Sequence, residues 1–289
     1  SIMNRKFTTL LTILSIAVST TLLIGVDKTR KSVRASFINT ISGTDLVVGA
    51  RTGGIQLLLY SVFHIGDATA NVTWRTVQDI KKRREVKWVV PIALGDSHQG
   101  YRVVGTSRQY FKKFKYRRNI PLRFMEGKKF SDLFDAVIGA DVARSLNYKI
   151  GDKIILAHGT GPISIGQDHG DTPFQISGIL EHTGTPVDRA VHVSMEAIEA
   201  IHVGWETGAF SNRNNKKSPE KLRKMNLTPK SVTALYVGLK SRMLTFSLQR
   251  WINTYIQEPI TAILPGVIFG QLWSTIGNVE TALLIISIM

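Results

Sequence analysis

A stretch of twenty residues without a charge, from Phe7 to Val26, is the feature that most constrains this chain. At about 1.5 Å per residue, a helix of this length is about 30 Å long, which matches the hydrocarbon thickness of a bilayer. A cleavable signal peptide is the alternative, but its apolar region spans only about 7–15 residues and ends at a small-residue cleavage site. Here further apolar residues and Gly25 follow the candidate cleavage site AVS at 17–19. The sequence therefore predicts a first transmembrane helix over residues 1–26.

Small hydroxyl side chains recur along this helix at a spacing of four residues. Ser15 and Ser19 are one such pair, and Thr8 and Thr12 are another. Small residues at this spacing let two helix backbones approach closely in lipid. The alternative is that the hydroxyl groups only hydrogen-bond to the backbone of their own helix. Both interpretations stay open, and Ser15 and Ser19 are the residues that we predict to contact another helix.

Both ends of the chain look like the cut ends of a longer protein. The chain begins with Ser1 and ends with the apolar stretch ALLIISIM, residues 282–289, which is too short to span a bilayer. We therefore expect a second transmembrane helix to start at 281–289, after a second stalk over 263–280. A first stalk over 27–43 is expected to continue the first span, because its apolar residues have helical spacing.

Alternating strand and helix patterns fill the region between the two membrane segments. Residues 87–94 predict a strand, and 136–158 predict a strand, a helix with Asp141 as its cap, a turn and a strand. The stretch ILEHTGTPVDRAVHVS, residues 179–194, predicts a strand, a Thr-Gly-Thr-Pro turn and a return strand that ends at a helix cap, Ser194. This organisation is typical of an extracytoplasmic α+β domain on a membrane anchor.

The composition limits the chemistry and the partners. The chain lacks cysteine, which excludes disulfide bonds, cysteine-based zinc sites and thiol catalysis. Its formal net charge of +16 is patchy, with basic runs at 81–84, 112–118 and 213–230. Solvated faces and a surface for a membrane or an acidic partner are both open interpretations. No recognised DNA- or RNA-binding motif accompanies the charge, so we expect no nucleic acid among the partners.

Motifs of common enzyme classes are absent from the sequence. It contains no G-x-x-x-x-G-K-[ST] nucleotide-binding loop, no G-x-S-x-G nucleophile elbow and no H-E-x-x-H zinc pair. Ser194, a histidine and Asp188 could form a hydrolase triad, but Ser194 is better explained as a helix cap. We therefore predict that the chain is not an enzyme, has no catalytic residue and binds no cofactor of its own.

A histidine group is the strongest candidate for a metal site. Imidazole and carboxylate groups suit zinc or another borderline metal, but no spacing here matches a known metal motif. The remaining metal candidates are His182 and His192. Because His192 alternates with Val191 and Val193, we expect it to face away from the core. The whole group comprises His158, His169, His182 and His192, with Asp168, Asp171, Glu181 and Asp188 nearby.

Several stretches together carry a resemblance to a known family. In chain order they are NRKFTTLLTILSIAVS, DLVVGA, YRVVGTS followed by YF, AVIGADVARSLNYKIGDKIIL and GILEHTGTPVDRAVHVSMEAI. They resemble the MacB/FtsX-like permeases of ABC transporters, and the resemblance covers almost the whole chain. It implies an α+β periplasmic domain carried on transmembrane and stalk helices. The porter-like part of that domain maps to 44–115 and 230–262, and the sabre-like part maps to 116–229.

The resemblance also marks individual motif residues, most of them glycines or members of one turn. They are Gly49, Gly105, Gly139, Gly151, Asp152, Thr183, Gly184, Thr185, Pro186, Asp188 and Arg189. We expect Thr183, Gly184 and Pro186 to serve backbone geometry. Asp188 and Arg189 are expected to pair or to cap backbone groups within the loop.

Function, partners and location follow from the resemblance. Such a permease subunit couples ATP hydrolysis by a separate ATPase to a periplasmic conformational change, a mechanotransmission that moves or extracts a substrate across the cell envelope. The expected partners are an ABC ATP-binding subunit that carries ATP and Mg, a second permease copy in a homodimer or related pair, the lipid bilayer, and a periplasmic adaptor or lipoprotein. The expected location is the bacterial inner membrane, with several membrane spans. The alternative function is an FtsX-like regulator of cell-envelope enzymes that transports no substrate.

Overall fold

The structure is a computed structural model, and it describes residues 6–38, 40–117, 119–158, 172–203 and 218–288. Helices and strands are intermixed along the chain, which confirms the predicted α+β class. The helices in these ranges are α1 (Lys6–Ile38), α2 (Gly54–Phe63), α3 (Trp74–Lys81), α4 (Tyr110–Lys113), α5 (Ala140–Leu146), α6 (Met195–His202), α7 (Pro219–Arg223), α8 (Thr245–Asn253) and α9 (Pro265–Ile288). The strands are β1 (Leu46–Ala50), β2 (Val72–Thr73), β3 (Val86–His98), β4 (Tyr101–Thr106), β5 (Lys115–Tyr116), β6 (Ile120–Pro121), β7 (Phe124–Gly127), β8 (Asp135–Ile138), β9 (Lys153–Ile154), β10 (Ala157–His158), β11 (Phe174–Leu180), β12 (Ala190–Ser194), β13 (Ser231–Val232), β14 (Ala234–Leu239) and β15 (Ile260–Ile263).

The N-terminal helix α1 is one continuous element. Its segment Lys6–Thr29 is long and apolar enough to cross a membrane, and no part of the most apolar window is buried by the rest of the described chain. The helix then continues without a break to Ile38, but it ends before the predicted limit of the stalk at residue 43, because the residues from Thr40 to Asp45 are not helical. The hydroxyl group of Thr12 donates to the carbonyl oxygen of Thr8 at 2.9 Å, so at least this side chain bonds within its own helix. Contact of Ser15 and Ser19 with another helix stays a prediction.

The C-terminal helix begins later than the sequence indicated. We expected the second stalk to start at residue 263, but Ile263 is the last residue of β15, and α9 starts at Pro265. Proline fits this position because its missing N–H belongs to the first turn, where no intrahelical partner exists. From there α9 runs as a single helix to Ile288, without a break between the predicted stalk and the predicted second span.

One mixed sheet forms the centre of the domain. Its strand order is β15-β1-β14-β3-β4-β12-β8-β11-β7, with β10 paired to β3 and β9 paired to β11. Most neighbours are antiparallel, but β12 pairs with β4 and β11 pairs with β8 in parallel. The β4–β12 pair joins strands from the predicted porter-like and sabre-like parts, so hydrogen bonding is continuous across that predicted boundary.

Both terminal helices join the sheet at the same end. β1 and β15 are antiparallel, with Val47 opposite Ile263, so the start of β1 lies beside the end of β15. Because α1 precedes β1 and α9 follows β15, the two helices leave the domain side by side, and they contact each other. We call this edge of the sheet, at Leu46 and Ile263, the stalk end. There α2 also packs on α9, with the rings of Phe63 and Phe269 edge to face at 5.8 Å.

His192 lies in the core, so the expectation that it faces away from the core was wrong. Its side chain is fully buried, and its ring lies 5.2 Å from the ring of Tyr110 and 6.0 Å from that of Phe111. The reason is that β12 is a central strand with every residue buried. Alternation along a strand separates core from solvent only where one face of the sheet is solvated. Nδ1 of His192 lies 3.3 Å from the carbonyl oxygen of Val137, and burial lowers the pKa of His192 from 6.5 to about 4.

This burial predicts a loss of stability in acid. Above pH 6.5 His192 is neutral in both the folded and the unfolded chain. Below pH 6.5 the imidazole is protonated in the unfolded chain, whereas in the folded chain it stays neutral down to about pH 4. We expect the free energy of unfolding to fall across this window by about 3 kcal/mol through His192 alone. The variant His192→Phe, which keeps the ring contacts, should show a shallower slope in pH-dependent unfolding of the detergent-solubilised chain. Parallel curves for the two proteins would contradict the prediction.

Candidate functional site

The buried carboxylate of Asp188 organises the loop between β11 and β12. Oδ1 accepts hydrogen bonds from the backbone N–H and the hydroxyl group of Thr183, both at 2.8 Å. Oδ2 accepts from the backbone N–H of Gly184 at 2.7 Å. A buried charge is costly unless it is paired and hydrogen-bonded, and these donors offset that cost. Asp188 therefore caps backbone groups within the loop, which is one of the two roles that the sequence predicted for it.

The rest of the loop is a tight turn followed by a 3-10 helix over Pro186–Arg189. Gly184 has φ of +71°, a conformation that side chains with a Cβ rarely adopt. The side chain of Thr185 accepts from the backbone N–H of Val187 and so caps the short helix. Arg189 does not pair with Asp188; its guanidinium lies 5.8 Å from the ring centre of Tyr101.

The two strands that flank this loop do not pair with each other. The sequence suggested a strand that returns beside its predecessor, but β8 lies between β11 and β12 in the sheet. The loop therefore crosses over the end of β8 and meets the start of α5. Gly139, the residue before α5, lies so close to the loop that a Cβ there would sit 2.3 Å from the carbonyl oxygens of Val187 and Asp188. This contact explains the glycine in physical terms.

An imidazole joins the loop to α5. Nδ1 of His182 lies 3.0 Å from Oδ2 of Asp188 and 3.6 Å from Oδ1 of Asp141. Asp141 does not cap its helix, contrary to the sequence prediction, because Gly139 occupies the cap position and Asp141 lies in the first turn. As a site residue Asp141 was missed. The sequence signal was the position of Asp141 two residues after the motif residue Gly139, which packs against the loop that contains Asp188.

These three side chains form the group with ligand chemistry for a metal within the described residues. One ligand atom from each of Asp141, His182 and Asp188 lies within 4.8 Å of the others. His192 is not in this group, and His169 lies outside the described residues. The approach of His182 to Asp188 is that of a hydrogen bond, and Asp188 already accepts from backbone donors. The cluster is therefore accounted for without an ion, and we assign no metal to it.

A cavity of about 400 Å³ opens in front of this loop. Its other walls come from Thr40, which follows α1, from His64 at the end of α2, and from Arg102 on β4. The guanidinium of Arg102 is held by the carboxylate of Asp67 and the carbonyl oxygen of Gly66, each at 2.9 Å. Burial, and then the nearby His192 and Arg102, lower the pKa of His64 to about 3, so its imidazole is neutral. We name this space the stalk-root cavity, because Thr40, which follows α1, and the end of α2 line it.

The other motif residues lie away from this cavity and serve packing or local backbone conformation. A Cβ at Gly49 would lie 2.6 Å from side-chain atoms of Leu57 and Tyr60, so this glycine lets α2 pack on β1. A Cβ at Gly105 would lie 2.5 Å from Ile198, so it admits α6 against β4. Gly151 has φ of +95°, and the carboxylate of the following residue, Asp152, accepts from the backbone N–H of Lys149 at 2.8 Å. The hydroxyl group of Ser194 accepts from the N–H of Ala197 at 3.0 Å, which confirms its role as a helix cap.

Fold and loop together define an α+β domain that is anchored by helices at one end of its sheet. The family model of the MacB-like periplasmic core domain matches residues 9–250. The chain therefore belongs to the MacB-like periplasmic core domain family, which confirms the resemblance to MacB/FtsX-like ABC-transporter permeases. Proteins of this family are the permease components of ABC transporters, and they work in general with an ABC ATPase subunit.

Two solved structures are similar to this chain. The periplasmic region of MacB from Actinobacillus actinomycetemcomitans is 11% identical with a TM-score of 0.47, over 83% of this chain and 95% of that chain. The extracellular domain of the noncanonic ABC-type transporter YknZ from Gram-positive bacteria is 14% identical with a TM-score of 0.42, over 76% of this chain and 99% of that chain. No curated protein matches the sequence. The family assignment accordingly rests on the family model.

The role of Asp188 predicts a specific loss of stability. In Asp188→Asn the negative charge is lost and an N–H₂ group faces backbone donors, so we expect the free energy of unfolding to fall by about 2 kcal/mol. Asp141→Asn is the matched control, because Asp141 is only partly buried and makes longer contacts. Its effect should stay within about 0.5 kcal/mol. Equal losses in the two variants, measured by denaturant unfolding, would refute the role given to Asp188.

The contact at Gly139 predicts a second, steric effect. Both Gly139 and Gly53 precede a helix with negative φ, so neither needs glycine for its backbone conformation. Only Gly139 has carbonyl oxygens in the way of a Cβ, whereas nothing lies within 4 Å at Gly53. Gly139→Ala should therefore cost about 1–3 kcal/mol of stability, and Gly53→Ala should change stability by less than about 0.5 kcal/mol. Thermal unfolding of the two variants tests this difference.

Proposed function

We propose that this chain is the membrane subunit of an ABC transporter and acts as a mechanical transmission. In this proposal a separate ATPase binds ATP and Mg, and its conformational change is transmitted to the extracytoplasmic domain by movement of α1 and α9. The observation that carries the proposal is the arrangement at the stalk end, where α1 leads into β1 and α9 follows β15, and these two strands are antiparallel neighbours. A displacement of one helix against the other acts directly on the hydrogen-bonded pair β1–β15.

We expect this movement to change the shape of the stalk-root cavity first. Phe63 of α2 packs on Phe269 of α9, and the next residue, His64, forms a wall of the cavity. Thr40, just beyond α1, forms another wall. The opposite wall is the loop held by Asp188, which is anchored to α5 rather than to the stalk helices. A shift of the stalk helices would therefore change the distance across the cavity.

The remaining elements of the proposal follow the family. The domain would divide into a porter-like part over 44–115 and 230–262 and a sabre-like part over 116–229. The chain would pair with a second permease copy in the bacterial inner membrane, with further spans beyond this sequence and with the domain in the periplasm. A periplasmic adaptor or lipoprotein is an additional partner in this proposal.

A distance measurement across the cavity tests the proposal. The chain has no cysteine, so Ile65→Cys and His182→Cys provide two unique positions for spin labels on opposite walls, both at exposed residues. In complex with the ATPase, we expect the distance between the labels to change when ATP is trapped. A label pair at Asp141→Cys and His182→Cys, on one wall, should not respond. An unchanged 65–182 distance would refute the transmission.

The same complex separates transport from regulation. A transporter should move its substrate only with an ATPase that hydrolyses ATP, and movement with a hydrolysis-deficient partner would contradict ATP-driven transport. An ATP-dependent distance change that switches a cell-envelope enzyme without moving any substrate would favour the FtsX-like regulator instead.

A further inference from the structure

Two large apolar side chains are exposed near the membrane anchor. Met243 is 90% exposed and Phe246 is 71% exposed. They follow β14, whose last residue Leu239 donates its backbone N–H to the carboxylate of Asp45 at 2.7 Å. Asp45 lies between α1 and β1, so this hydrogen bond places the start of α8 at the stalk end of the sheet.

Basic side chains surround these two residues. Arg242 directly precedes Met243 and Lys240 lies three residues before it, and both basic residues are exposed. The backbone N–H of Lys240 donates to the carbonyl oxygen of Glu85 at 3.0 Å, which brings the neighbouring residues Arg84 and Lys87 to the same edge. We call the set Arg84, Lys87, Lys240, Arg242, Met243 and Phe246 the stalk-end rim.

The two acidic residues at this edge, Asp45 and Glu85, do not cancel the four positive charges of the rim. The carboxylate of Glu85 is 2% exposed and is bound by Arg83 at 2.8 Å, with Arg84 at 3.8 Å. The side chain of Arg84 remains 92% exposed. The rim therefore presents net positive charge together with protruding apolar groups, a combination typical of segments that lie in the headgroup region of a membrane.

The length of the stalk sets how far the end of α1 stands above the lipid headgroups. From Val26, the last residue of the uncharged stretch, to Ile38 the helix rises by twelve residues, or about 18 Å. The headgroup layer occupies about 6 Å of this distance. The end of α1 therefore stands about 12 Å above the headgroups, or about one and a half Debye lengths at physiological ionic strength. A tilt of about 20°, common for transmembrane helices, lowers one side of the domain further.

We propose that the stalk-end rim docks the domain on the anionic phospholipid surface of the membrane that α1 spans. Arg84, Lys87, Lys240 and Arg242 bind lipid phosphate groups, and Met243 and Phe246 enter the headgroup layer. The proposal rests on α1 as a membrane anchor and does not depend on transport. Its failure would therefore leave the proposed function standing, and the failure of that function would leave this one.

A single fluorescent label tests the docking in the full chain. Met243→Cys, labelled with an environment-sensitive dye, is reconstituted in nanodiscs of phosphatidylcholine, with or without phosphatidylglycerol. We expect a blue shift of the emission, and quenching by lipids that carry a nitroxide near the headgroup, only in the discs that contain phosphatidylglycerol. High salt should reverse both effects, because exposed charges are screened.

Two matched controls make the outcome decisive. Ile256→Cys carries the same dye at a side chain that is 97% exposed, just before β15 and beyond the opposite end of the β1–β15 pair, and it should not be quenched. Arg84→Glu with Lys240→Glu should abolish the quenching at position 243, whereas Lys128→Glu with Lys129→Glu, beside the far strand β7, should not. The proposal would be overturned by equal quenching at 243 and 256 or by no quenching at either position. A blue shift without lipid quenching would also overturn it, because contact with a second copy of the chain would cause that result.

Discussion

The antiparallel pairing of β1 with β15 is the contact on which the rest of the molecule depends. It joins the first strand of the domain to the last, so it closes a domain whose chain begins and ends in long helices. Without this pair, α1 would be tied to the domain through its connecting residues, and α9 through its packing on α2. With it, both helices join the same end of the sheet, and α2 packs on both β1 and α9.

The loop held by Asp188 solves a different physical problem. It must cross from β11 to β12 over β8, which needs a sharp reversal at Gly184 and a close approach to the start of α5 at Gly139. A buried carboxylate that binds the loop's own donors fixes this path without help from the solvent. The loop is thus held by its own hydrogen bonds, and it forms one wall of the stalk-root cavity.

Much of this was predictable because the signals are local. The length of the apolar stretch predicts the α1 helix. Ser194 is a hydroxyl residue directly before a helical pattern, which predicts the helix cap that it forms. His192 was not predictable from alternation, because burial on both faces of β12 depends on layers that come from distant parts of the chain. The cluster of Asp141 with His182 was likewise hidden, because it depends on the order of strands in space. Strand order is set by contacts far apart in sequence, which no local pattern records.

The continuous sheet connects the strands beside the two terminal helices to a distant strand, β7. Eight strand-to-strand steps separate β15 from β7 along the sheet, and at about 4.8 Å per step they span about 38 Å. The parallel pair β4–β12 carries the hydrogen bonds through the middle of this span, so the two halves cannot swivel freely about each other. In the proposed transmission the sheet would act as an arm that pivots at the two helices, and a rotation of about 10° there would move the far strand by about 7 Å.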